Sequence, residues 1–219
     1  MRKTRIILIT GLIGALLAFF SLICILVLHF STECDYMTAI ESCLKENSPD
    51  AVSAVQENRS IFTVIISVDT LFVLAEFFVW FGLSFLIRDR STAASLAVLI
   101  GGLAGAALDF IQNCIEFIVI RMAGPDIIFG RALFSMWNQV TVLSYLLAYA
   151  AVIVLVPAVI RKNRKSLLSW SAVLIFTAFA AAGVFIPAVY PVSFLWYVVL
   201  FAVSGAVFFR KDRILKNAE

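Results

Sequence analysis

The chain holds a single histidine in 219 residues, five prolines and four cysteines, and only 14% of it is charged. Each scarcity removes a class of function. His29, the lone imidazole, cannot by itself make a zinc site or a Ser-His-Asp triad, and its place at the outer end of an apolar run suits an interfacial residue. The four cysteines form no C-x-x-C pair, which excludes the usual zinc and dithiol redox motifs. No glycine-rich phosphate loop is present, and no lysine within an apolar run offers a Schiff-base site. Cys24 and Cys114 read as buried apolar residues and not as nucleophiles.

What the chain has instead is apolar length. Some 63% of its residues are hydrophobic and its mean hydropathy is +1.03, far outside the balance of a soluble globular domain. Six runs are long enough, at roughly 20 residues per crossing, to traverse a bilayer. They cover residues 6–30, 61–87, 93–120, 132–159, 168–186 and 192–209. An all-α polytopic membrane protein is therefore expected, a single six-helix transmembrane domain. Connections other than the loop at 31–60 are short, which makes successive helices antiparallel neighbours.

The opening "MRKTR" resembles the charged start of a signal peptide, but the run behind it is too long for a cleavable one and lacks a small-x-small site, so an uncleaved helix is expected. The "SLIC" around Cys24 is a poor lipoprotein signal, because Ile23 stands where a small residue is needed. Orientation follows from the basic residues, which are retained on the cytoplasmic side. Thirteen of the 17 fall on one side if six helices alternate, in groups around Arg2, Arg88, Arg161 and Arg210; only Lys45, Arg59, Arg121 and Arg131 fall on the other. Both termini are thus expected in the cytoplasm of a plasma or bacterial inner membrane. The net charge of +3 reflects this topology and gives no basis for nucleic-acid binding.

The loop at 31–60 is the one sizeable stretch outside the apolar runs. Its middle has helical composition, and Ser48, Pro49 and Asp50 mark a break followed by a short second helix. Cys34 and Cys43 fall here, in what would be an oxidising compartment, and a disulfide between them is expected to pin the first half of the loop. Two free or buried thiols are the alternative. Gly11 with Ala15, and Gly101 with Gly105, lie at the spacing that lets helix backbones approach closely.

Ionisable residues inside a bilayer are costly, at about 2.5–3.5 kcal/mol each on insertion scales, so they face a bundle interior or a watery cavity. The second run carries Asp69 and Glu76; the third carries Asp109 and Glu116, with Gln112 and Asn113 between them. Each acidic pair is seven residues apart, two helical turns, and shares one face of its helix. Counting at about 1.5 Å per residue from the cytoplasmic boundary puts Asp69 and Asp109 level, roughly 27–29 Å away. The same count brings Asn138 and Gln139 of the fourth run level with Asn113, with Ser144 and Tyr145 slightly deeper and Glu76 near the midplane. The fifth and sixth runs offer no ionisable residue within their spans, only Ser, Thr and aromatic rings. Trp137, Tyr190, Trp196 and Tyr197 suit an outer aromatic belt.

These counts place a polar cluster in the outer half of helices two to four: Asp69, Asp109, Gln112, Asn113, Asn138 and Tyr145, with Glu76 as a deeper relay and Glu116 at the mouth. No Lys or Arg lies at matching depth, although Arg121 or Arg131 would reach Glu116 by snorkelling. A proton, a cation or a small amphiphile is the expected partner, in a transporter- or channel-like protein. Carboxylates with amide oxygens suit hard cations, but the composition names neither a metal nor a cofactor. Two other readings stand beside this one. A non-catalytic assembly subunit would use its basic ends and Phe-rich last helices on membrane lipids or a membrane-protein partner. A lipid-acting hydrolase or transferase would use Asp69 and Asp109 as an acid/base pair or as ligands for a metal that activates water, but lacks a histidine or an evident nucleophile.

Overall fold

The computed structural model describes residues 2–31, 35–46, 48–124, 126–160, 167–183 and 191–216. Among them are eight helices and no strand: α1 (Arg2–Phe30), α2 (Tyr36–Lys45), α3 (Pro49–Glu57), α4 (Arg59–Ile87), α5 (Thr92–Met122), α6 (Arg131–Ile160), α7 (Leu167–Gly183) and α8 (Pro191–Lys216). Four of them, α1, α4, α5 and α6, are long and apolar enough to cross a membrane. The basic group at 161–165 and the connection containing Tyr190 lie outside the described residues, as does Cys34.

Helix ends follow local chemistry. Asp35 caps α2 by accepting from Met37 N at 3.1 Å and from Thr38 Oγ1 at 2.7 Å. Ser48 caps α3 through Ala51 N, with Pro49 in the first turn, and Ser91 starts α5 through Ala94 N. A side-chain oxygen at these positions satisfies an amide that the helix leaves orphaned. Pro157 removes a backbone donor near the end of α6, and the carbonyls of Ala158 and Val159 accept from Arg90 Nη1, both at 2.8 Å. A cation on the last carbonyls of a helix also complements its dipole.

Small residues decide how closely the long helices approach. A Cβ at Gly14 would stand 2.7 Å from Phe78 Cβ and 2.9 Å from the Ala75 carbonyl, so α1 and α4 touch backbone to backbone there. On the same seam Phe208 of α8 seats its ring against both Gly11 and Gly82. Gly102 of α5 lies under the indole of Trp80, and Gly105 meets α6 at Ser144 O and Ala148 N. Without a hydrophobic force between helices in lipid, such close backbone packing is what holds a bundle. The beginning of α1 is tied to the end of α8 by Arg5 Nε on Asp212 Oδ1 at 3.0 Å, which brings both ends of the described chain to one end of the bundle.

At the opposite end α2 and α3 form a cap with an apolar core of its own. Tyr36, Ala39, Ile40, Cys43 and Leu44 are the buried face of α2, at the i, i+3, i+4, i+7, i+8 positions of an amphipathic helix. They meet Val52 and Val55 of α3, Phe62 of α4, and Ile115 and Val119 of α5. This arrangement overturns the expected disulfide. Cys43 is a free thiol, wholly buried in the cap, because the helix that carries it turns it inward; burial also pushes that thiol above its usual value, which leaves it protonated and inert.

Candidate functional site

α4 and α5 pack directly against each other and carry the four acids of the sequence stripe. Glu76, Asp109, Gln112, Asn113 and Glu116 are all buried, at 9% exposure or less, and Asp69 is partly buried. The seven-residue spacing therefore turns each stripe inward. The charges form a ladder: Glu116 acts on Asp69, Asp69 on Asp109, and both aspartates on Glu76. Asp69 and Asp109 lie within electrostatic reach of each other across the α4–α5 seam.

The outermost rung is satisfied. Glu116 Oε2 accepts from the Tyr36 hydroxyl at 2.6 Å, and its Oε1 accepts from Gln112 Nε2 at 2.7 Å and from Trp137 Nε1 at 2.9 Å. Three elements, α2, α5 and α6, are joined on one carboxylate. Burial, and after it the nearby Glu116 charge, push the Tyr36 phenol well above its usual value, so it stays the donor. Arg121 and Arg131 play no part: Arg121 lies over the Phe117 ring at 5.7 Å, and both arginines are exposed. Glu116 at the mouth thus belongs to the cap's hydrogen-bond network, a role its sequence position did not reveal.

The innermost rung is not satisfied. Glu76 is 2% exposed, and its Oε1 is buried with no hydrogen-bond partner. Gln112 Oε1 and both amide atoms of Asn113 share that condition, although Asn113 lies close enough to Asp69 to interact with it. Among the described residues no Lys or Arg pairs with any of the four acids. Nor do three His, Cys, Asp or Glu side chains converge so as to hold a metal ion. The acids are strung along the seam and not gathered around a point.

Two expectations about neighbouring helices fail. Asn138 and Gln139 are exposed, and the α6 residue that turns inward at this level is Trp137. Asn138 is therefore not beside Asn113 and leaves the candidate site. Trp137, Trp196 and Tyr197 do not form an outer belt; they are buried at 6%, 0% and 7% exposure. Tyr197 of α8 lies within electrostatic reach of Glu76 and Asp109, so a helix with no ionisable residue in its apolar span supplies part of the wall.

That wall is aromatic. Tyr197 stacks on Phe201 at 5.8 Å and meets Phe72 and Trp196 edge to face at 5.1 and 4.6 Å. Tyr145 joins this wall, tilted against Tyr197 at 6.2 Å and stacked on Tyr149 at 6.1 Å. Trp196 donates Nε1 to Thr177 Oγ1 at 2.7 Å, which fixes α8 against α7. Rings from α4, α6 and α8 thus bound the deep end of the acidic ladder. Compared with known proteins, the chain matches no protein-family model and is similar to no curated protein or solved structure.

Proposed function

We propose that the chain is a small multi-pass membrane protein with six spanning helices and both termini cytoplasmic, which binds a cation, proton or small amphiphile along the α4–α5 seam and is reached from the extracytoplasmic side, as a transporter or channel-like protein would be. The observation that carries this reading is the uncompensated acidity of the seam: four carboxylates lie along it, none has a Lys or Arg partner among the described residues, and Glu76 keeps an oxygen with no hydrogen bond. A purely structural network would satisfy its members, since an unpaired buried polar group costs about 1–3 kcal/mol. The topology draws support from the Arg5–Asp212 pair, because an even number of crossings returns a chain to the side it left.

The role of each residue follows its position. Asp69, partly buried, is the first acid beyond the cap; Asp109 relays to Glu76; and Gln112 Oε1 and the Asn113 amide orient what enters. Glu116 keeps the cap seated. The test is thermal unfolding of the purified full chain across sodium concentration and pH, for wild type and Asp109→Asn, since whatever binds the native state raises its stability. The wild type is expected to respond and the variant, still folded, to lose the response. If Asp109→Asn retains the response and loses only about 0.6 kcal/mol, the average for an interhelical hydrogen bond, the seam is a structural network. Cysteine labelling at Ser48 and Ser166 tests the topology, which fails if both positions label from one side.

A further inference from the structure

We infer that the seam's ligand is an organic ammonium ion, a lipophilic amine whose charged head lies at Glu76 and Asp109 and whose body lies against the aromatic rings of α4, α6 and α8. This rests on the reading above and narrows it from any cation to one chemical class.

Three independent features lead there. The first is the orphaned Oε1 of Glu76, buried in a residue only 2% exposed and within reach of the charges of Asp109 and Asp69. A lone buried acceptor among acids calls for a positively charged donor. The second is the layout of the acids. A divalent metal ion needs several oxygens converging on one centre, and no three acidic side chains among the described residues converge in that way. An elongated ligand, charged at one end, needs only one or two of them.

The third feature is the company Glu76 keeps. Tyr197, which senses both Glu76 and Asp109, is surrounded by Phe72, Tyr145, Trp196 and Phe201. Ring faces attract ammonium groups, most strongly where water is excluded, and aromatic cages recognise alkylated ammonium for that reason. A sodium ion or a proton would find its oxygen ligands in Asp69 and the amides nearer the cap and would draw less from the rings. Asp69 is partly buried where Glu76 and Asp109 are buried, so the end of the site nearer the cap is less enclosed than its floor, as an entering ligand requires.

The experiment uses the full chain in detergent and a matched pair of probes. N,N-dimethylbenzylammonium is charged at neutral pH and keeps one N–H to donate; isobutylbenzene has the same shape with carbon in place of nitrogen, no charge and no donor. The cation is expected to raise the Tm of the wild type and the neutral isostere is not. Glu76→Gln should weaken the apparent affinity by about tenfold or more, and Tyr197→Leu, which leaves every carboxylate in place, should weaken it by several-fold. Size-exclusion profiles and starting Tm values report whether each variant is folded, and if Glu76→Gln is not, Tyr197→Leu and Asp109→Asn carry the test.

Equal stabilisation by both probes overturns the inference, because the site would then be reading apolar bulk alone. Unchanged affinity in folded Glu76→Gln and Tyr197→Leu overturns it too, by placing the probe elsewhere. No shift with either probe, while sodium or pH still moves the wild type but not Asp109→Asn, overturns the organic cation and leaves the seam a site for small ions. No response to anything ends both readings together.

Discussion

Glu116 and Glu76 are the same side chain, buried to the same degree, at the two ends of one ladder, and they live opposite lives. Glu116 has three donors drawn from three helices. Glu76 has an oxygen with none. A buried carboxylate with its hydrogen bonds made is part of the architecture, and one without them is an unmet demand that something else must answer. The contrast teaches that burial and residue type do not separate structural from functional acids in a membrane bundle. The accounting of donors does.

That comparison can be broken by measuring stability at both ends. Glu116→Leu should have the largest effect, a loss of about 2–4 kcal/mol, because it strands the Tyr36 hydroxyl, Gln112 Nε2 and Trp137 Nε1 at once. Unfolding followed by far-UV circular dichroism in mixed detergent reads it, and a loss below that of the next variant would refute the joining of α2, α5 and α6 on Glu116. Tyr36→Phe removes one of the three bonds and should cost about 1–2 kcal/mol, seen first as faster amide exchange in α2. Its dependence on pH has a definite sign. The phenol is raised above its usual 10.0 by burial and by the Glu116 charge, so its contribution is complete at neutral pH and fades only as pH climbs beyond 10. Glu76→Leu should have the smallest effect on stability, between nothing and a gain of about 1 kcal/mol, since it deletes an acceptor that has no partner. A loss as large as that of Glu116→Leu would mean that Glu76 is held by interactions that the hydrogen-bond geometry does not contain.

Much of this was legible beforehand. Spacings of seven told which residues share a face, and the cost of exposing acids to lipid favoured turning that face into the bundle, where Asp109, Gln112, Asn113 and Glu116 of α5 and Glu76 of α4 are buried. The same reasoning failed on α6 because Trp137, Asn138 and Gln139 are consecutive. Any one of them can be turned inward by a rotation of about 100°, and an amide carries too small a penalty to decide the matter. Trp137 won by having both a large apolar body to bury and one N–H to give to Glu116. Trp196 and Tyr197 were misplaced for a related reason: amphipathic rings suit an interface and an interior polar site equally well. The disulfide was misjudged because compartment and spacing were weighed without the periodicity of α2, which puts Cys43 in line with Tyr36, Ile40 and Leu44.

The seat of Phe208 has a consequence for biosynthesis. Its ring fills a notch framed by Gly11 of α1 and Gly82 of α4, yet the helix that carries it is made well after both. The Arg5–Asp212 pair that closes the same seam joins residues 207 positions apart. While the ribosome is still reading the codons for α8, α1 and α4 already lie in the bilayer with a glycine-lined groove between them and only acyl chains to occupy it. Docking of α8 is thus the exchange of lipid for a phenylalanine, and a newborn chain halted before α8 would carry that groove open, exposed to whichever neighbouring helix reached it first.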